Sequence, residues 1–149
     1  MTGGPDTTLL ATEQIHPQHL QLDAYDTDTL VKAFSEDQRT AVEAVLQAGK
    51  QIAAAVGASV ERLQAGGRLV YMGAGTSGRL GVLDGVELIP TFSWPEERLV
   101  TLIAGGMGAV YRAVEGAEDD EDRAADDLVQ VGLNAKDAVI VIASSGTTP

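Results

Sequence analysis

Cysteine is absent from the 149 residues of this chain. That excludes disulfides, cysteine-ligated metals and thiol chemistry, and it suits a cytoplasmic location. Aromatic side chains make up only 4%, so a core has to rest on Ala, Val, Leu and Ile. Positive charge is scarce: 10 Lys and Arg stand against 22 Asp and Glu, a formal net charge of −12. That balance argues against non-specific binding to nucleic acid, which needs a basic footprint. It also repels an anionic small molecule at long range, so any anion site has to be built locally. No apolar run approaches the roughly 20 residues of a membrane helix. Residues 1–20 lack the positive segment and following apolar run of a signal peptide. What remains is a hydrophobic content of 44%, ordinary for a globular chain long enough to build one sizeable core.

Three regions are expected. Residues 1–25 form a polar arm punctuated by Pro5 and Pro17. It carries both histidines, His16 and His19; a pair in such an arm reads as solvated, and no metal is expected. Residues 26–65 read as two or three amphipathic helices, with Leu30, Val31 and Phe34, then Val42, Val45 and Leu46, then Ile52, Val56, Val60 and Leu63 at helical spacing. Ser35 followed by Gln38 reads as a capping box that opens a second helix. Gly66-Gly67 is the stop. The apolar face serves either a core or a dimer interface.

From residue 66 onward the pattern changes. Short strands are expected at 68–72, 98–103 and 137–142. A helix follows the first strand, and helices at about 107–114 and 120–131 separate the second strand from the third. The last strand, Ala138-Val-Ile-Val-Ile142, is almost continuously β-branched. Strands alternating with helices predict an α/β fold, a three-layer α-β-α arrangement with a parallel sheet covered on both faces. Such sheets normally have five or more strands. A chain ending on Thr147-Thr-Pro149, just after the third, therefore reads as the first part of a longer protein with an incomplete sheet.

The chemistry concentrates in two loops. Gly73-Ala-Gly-Thr-Ser-Gly78 follows a strand and opens a helix. Its glycines let backbone approach a ligand closely, and its free N–H groups and helix dipole favour an anion. Thr76 and Ser77 add hydroxyl donors, and Arg79 adds a positive charge. This local cluster answers the acidic net charge. The same residues spell the G-x-G-x-x-G dinucleotide fingerprint. A dinucleotide site also expects an acid at the end of the second strand, where this chain has Leu102-Ile-Ala-Gly-Gly106. A terminal phosphate therefore fits better. The second loop, Ser144-Ser-Gly-Thr-Thr148, leaves the third strand; its hydroxyls either make a turn or share the phosphate.

A strand entering Gly-Thr-Ser and a later strand entering Ser-Gly-x-Thr resemble the sugar-isomerase (SIS) domain, a flavodoxin-like α/β fold. The stretch Gly67 to Gly81, Leu102 to Gly106, and Val114-Glu-Gly-Ala-Glu-Asp119 are similar, within that group, to N-acetylmuramic acid 6-phosphate etherases, as is Thr12-Glu-Gln14. The resemblance covers residues 12–149 and about half of a family member. It implies that Ser77, Ser145 and Thr148 hold the phosphate, with Gly75, Thr76, Gly78, Arg79, Ser144 and Gly146 around it. It implies cleavage of the D-lactyl ether by elimination and then hydration, without metal or cofactor, in cell-wall amino-sugar recycling. Glu87 matches the proton donor, and Glu118 the other active-site glutamate, assigned as the base. The negative end of a helix dipole near Glu87 disfavours a carboxylate and so suits a donor.

Two positions depart from the family pattern. Leu88-Ile-Pro90 stands where Cys and two prolines follow the glutamate, and Thr147 stands where an arginine is usual. Ten residues of straight helix span about 15 Å, too far for one sugar phosphate to reach from Ser77 to Glu87. Either Gly81 or Gly85 breaks the helix, or Glu87 serves the site of a neighbouring subunit in a homodimer. The competing expectation is a non-catalytic phosphosugar-binding regulator with the same domain.

Overall fold

The computed structural model describes residues 14–145. The chain divides into two compact units that meet between Gly57 and Ala58. In the first unit, Asp26 caps helix α1 (Thr27–Gln47) by accepting the Thr29 N–H at 2.7 Å. The expected break at Ser35 is absent. Ser35 donates to the Val31 carbonyl one turn back, at 2.8 Å, and α1 runs on through it. A hydroxyl satisfied within the helix has no reason to cap a new one. Upstream, His19 Nδ1 lies 3.1 Å from the Tyr25 hydroxyl, and the two histidine rings stack. Helix α2 (Gly49–Gln64) continues across the unit boundary. Val31, Phe34, Val42 and Val45 of α1 and Ile52, Val56 and Val60 of α2 are all exposed.

The second unit holds the sheet. Gly66, at φ +86°, ends α2 as the glycine pair predicts. Strand β1 (Leu69–Gly73) is followed by helix α3 (Gly75–Phe92), strand β2 (Leu99–Ile103), helix α4 (Glu121–Gln130) and strand β3 (Ala138–Ile142). All strand pairs are parallel and the order is β2-β1-β3, the start of a flavodoxin-like sheet. One expected helix is not a helix. Over 107–114 only Met107–Val110 winds, as a single 3-10 turn. Gly105 and Gly106 precede it at φ +85° and +74°, two successive residues outside the right-handed helical region.

Helix α3 covers one face of the sheet through three buried glycines, Gly78, Gly81 and Gly85. A Cβ on Gly78 would lie 2.5 Å from the Gly73 carbonyl oxygen and 2.8 Å from Ile103. On Gly81 it would meet Tyr71, and on Gly85 Leu99 and Thr101. The side chains of β1 alternate accordingly. Leu69 and Tyr71 join a core with Ala138, against which Leu63, Leu88, Trp94, Leu99 and Ile142 pack. The Tyr71 hydroxyl donates to Asp84 of α3; burial first, and this bond second, push its phenol well above the ordinary value. The opposite face differs from expectation. Val70 at its centre is fully buried, but Val141 on β3 is 68% exposed. With only three strands, the β3 side of that face is left without cover among the described residues.

An ion pair closes the amino edge. Asp137 accepts from Arg68 N at 2.9 Å, from Arg68 Nε at 3.2 Å and Nη2 at 2.7 Å, and from Asn134 N at 3.1 Å and Nδ2 at 3.0 Å. Arg68 also donates to the carbonyls of Val131 and Gly132. The carboxylate is buried yet fully paired, and the Arg68 side-chain bond holds its pKa down to about 2.

Two outcomes are expected from this packing. Gly78→Ala pushes a methyl against backbone that cannot yield, and should cost about 2 kcal/mol or more in urea unfolding. Asp137→Asn should cost about 3 kcal/mol at neutral pH by leaving Arg68 without its counter-charge. Because the folded pKa lies below the ordinary aspartate value of about 3.9, the wild-type advantage is complete above about pH 4 and declines as pH falls toward 2. Unfolding of both proteins at pH 7 and pH 3 should show the gap narrowing.

Candidate functional site

The parallel register sets the site. Gly73 pairs with Ile103 on one side and Ile142 on the other. The loops leaving β1 and β3 therefore start side by side at the carboxyl edge of the sheet. Gly73 is a point of close approach: a Cβ there would lie 2.7 Å from the Ile142 carbonyl oxygen and 3.0 Å from Gly78 N. Ala74 is the N-cap of α3, and its carbonyl accepts the Gly78 N–H at 3.0 Å. Gly75 takes φ +53°, which bends the chain into the helix without a Cβ penalty. The N–H groups of Gly75, Thr76 and Ser77 fall in the first helical turn, where no intrahelical acceptor exists. Thr76 is exposed and Ser77 is half-buried at that turn.

Ser144 and Ser145 follow β3 at the same edge, with Ser145 half-buried. Gly146, Thr148 and the departure at Thr147 lie outside the described residues, as do Thr12 and Glu13. Arg79 is half-buried and engaged by protein: its Nε donates to the Val110 carbonyl at 3.1 Å and its Nη2 to the Arg112 carbonyl at 3.4 Å. It binds the β2–α4 loop down onto the first turn of α3.

Glu118 lies in a 3-10 turn, Ala117–Asp119, ahead of α4. The acidic run that follows it is a helix start: Asp120 caps α4 by accepting the Arg123 N–H at 2.9 Å, and Glu121 and Asp122 fill the first turn. Glu118 stands outside that helix. It lines a cleft of about 430 Å³ between α4 and the carboxyl edge, together with Gly73, Ala74, Ala143, Leu128 and Arg123. The walls of the cleft are mainly apolar, and Arg123 is paired with Asp127 at 3.0 Å. One glutamate thus shares the sheet edge of the glycine turn.

Glu87 does not. Helix α3 is continuous from Gly75 to Phe92, through Gly81, Gly85 and Pro90. Glu87 is exposed in its last third, toward the amino edge, where the next residue, Leu88, packs on the Leu69 core. Of the two expected explanations for the distance, a broken helix is excluded: both glycines are spent on the sheet contact. Leu80 and Leu83, 54% and 61% exposed, fall on the same helical face as Glu87. Three features escaped the sequence reading. These are the Tyr71–Asp84 bond, the engagement of Arg79, and Arg123 in the cleft wall. Only Arg123 had a local signal, its i,i+4 spacing to Asp127.

Comparison with known proteins agrees with this architecture. The chain is 56% identical over 138 residues to the N-acetylmuramic acid 6-phosphate etherase of Deinococcus radiodurans, covering 93% of this chain and 45% of that protein. It is 49% identical over 140 residues to the protein of the same name from Lactobacillus acidophilus, covering 94% of this chain and 47% of that protein. The Salmonella enteritidis protein of that name is 51% identical over 140 residues, with the same coverage of 94% and 47%. The chain thus spans about half the length of the curated relatives it matches. The family model described as the glucokinase regulatory protein N-terminal SIS domain matches residues 51–149, which contain every strand of the sheet and the glycine turn. With a parallel β2-β1-β3 sheet and a glycine-rich turn after its central strand, the chain belongs to that SIS domain family.

Proposed function

We propose that this chain supplies the phosphosugar-binding part of an enzyme that cleaves the D-lactyl ether of N-acetylmuramic acid 6-phosphate. The products are N-acetylglucosamine 6-phosphate and D-lactate. The observation that carries the reading is Glu118 beside the glycine turn, on one sheet edge, in a chain 56% identical to a protein named for this reaction. The first turn of α3 presents N–H groups and hydroxyls to the phosphate. Ser77, Ser145 and Thr148 are its side-chain ligands, with Gly75, Thr76, Gly78, Ser144 and Gly146 around them. Arg79 contributes by fixing the neighbouring loop.

In the open-chain sugar the proton at C2 is acidified by the adjacent aldehyde. Glu118 removes it, the C3–O bond breaks, and Glu87 protonates the departing lactate oxygen. Water then adds at C3 of the unsaturated aldehyde, so the net change is hydrolysis of one ether bond. No metal or cofactor enters this sequence. Because Glu87 sits about 15 Å along a straight helix from Ser77, the donor comes from a second copy of the chain. The exposed Leu80 and Leu83 beside Glu87, and the exposed apolar stripes of α1 and α2, support a homodimer with shared sites. The enzyme is proposed to work in the cytoplasm, in amino-sugar recycling.

A second reading has one observation in its favour, the name of the matching family model, which is that of a regulatory protein. In it the domain binds a sugar phosphate without chemistry. D-lactate release from N-acetylmuramic acid 6-phosphate by the full-length protein separates the two. Lactate is expected from the wild type, with a fall of about 100-fold or more in kcat for Glu87→Ala and for Glu118→Ala. A folded protein that binds N-acetylglucosamine 6-phosphate and releases no lactate supports the regulator. Sharing is tested by mixing Ser77→Ala and Glu87→Ala chains: activity should return in the mixed dimer, and mixtures as inactive as their parents would refute a shared site.

A further inference from the structure

The substrate proposed above carries two anions, a phosphate and the carboxylate of its lactyl group, on a chain whose formal net charge is −12. The first turn of α3 accounts for one. All the lysines and arginines of this chain lie within the described residues, so those of the second unit can be followed one by one. At the amino edge, Arg62 donates to the Ala135 carbonyl, Arg68 pairs with Asp137, and Arg98 donates to the Gly67 carbonyl and stacks on Trp94. Lys136 precedes β3 at that same edge. At the carboxyl edge stand Arg79, Arg112 and Arg123. Arg79 is committed to two carbonyls and Arg123 to Asp127. Arg112 is exposed, and its guanidinium has no hydrogen bond or ion pair among the described residues.

The loop that carries Arg112 is pinned at three points. Ala109 is buried at 3% exposure and anchors the 3-10 turn. Arg79 holds the carbonyls of Val110 and of Arg112 itself. The two ends of the loop meet where Gly105 abuts Val114, so closely that a Cβ on Gly105 would lie 3.0 Å from the valine Cβ. The backbone of Arg112 is therefore fixed beside the first turn of α3, while its charge is unspent. A fixed backbone lowers the ordering cost of recruiting a long cationic side chain, and a guanidinium matches a carboxylate with two parallel hydrogen bonds.

We propose that Arg112 is a specificity-determining residue that receives the lactyl carboxylate while the α3 turn receives the phosphate. The proposal rests on the etherase reading. It is tested in the full-length protein with Arg112→Ala and Arg112→Lys, by steady-state lactate release and by inhibition with N-acetylglucosamine 6-phosphate, which keeps the phosphate and lacks the carboxylate. Arg112→Ala should raise KM roughly tenfold or more, well beyond any change in kcat, and leave the inhibition constant of the product sugar phosphate where it was. Arg112→Lys should recover part of the loss. If the inhibition constant rises in step with KM, or if neither moves, Arg112 does not read the carboxylate and this inference alone falls. A wild type that releases no lactate removes the etherase reading and this inference with it.

Discussion

The close seating of α3 on the sheet is the constraint on which the rest of the second unit depends. Gly78, Gly81 and Gly85 remove three side chains from one helical face, and the helix axis moves in until Cβ atoms would collide with β1 and β2. That contact fixes the height of α3 relative to the strands. Its first turn is thereby held at the carboxyl edge, with Gly73 pressed against Ile142 and Gly78. The N–H groups of that turn belong to the backbone and have no flexible parts to adjust, so their geometry is only as good as the packing behind them. The helix dipole adds positive potential at that turn, in a chain whose formal net charge is −12.

The two edges of the sheet use charge differently. At the amino edge, arginines are consumed by structure: Arg68 with Asp137, Arg98 with Gly67 and Trp94. These groups join the end of α2, the start of β1 and the turn before β3. At the carboxyl edge the bonds serve loops. Arg79 fastens the β2–α4 connection, and Asp120 starts α4. The mainly apolar cleft under α4 opens there, with Glu118 on its rim.

Much of the architecture was legible beforehand because its signals are local. The β-branched run at 138–142, the short apolar strands and the Gly66 stop each depend on a few adjacent residues. The parallel sheet with loops from β1 and β3 leaving side by side follows from alternation of elements. The errors came where local signals compete. Ser35 and Gln38 have capping-box spacing, but the Ser35 hydroxyl found the Val31 carbonyl instead. Residues 107–114 have a helical composition, but two glycines at positive φ and the grip of Arg79 hold them as a loop.

The sequence by itself determined the order of strands and helices, the position of the glycine turn, and the residue types able to hold an anion, since each is written in neighbouring residues and their period. Tertiary structure alone decided what those residues are free to do. Arg79 reads as a free positive charge at the turn until the carbonyls of Val110 and Arg112 are brought against it. Gly81 and Gly85 read as possible helix breaks until a sheet face is laid across them and their missing side chains become the contact. A glycine or an arginine carries several capacities, and only the groups opposite it in space, distant in the chain, select one.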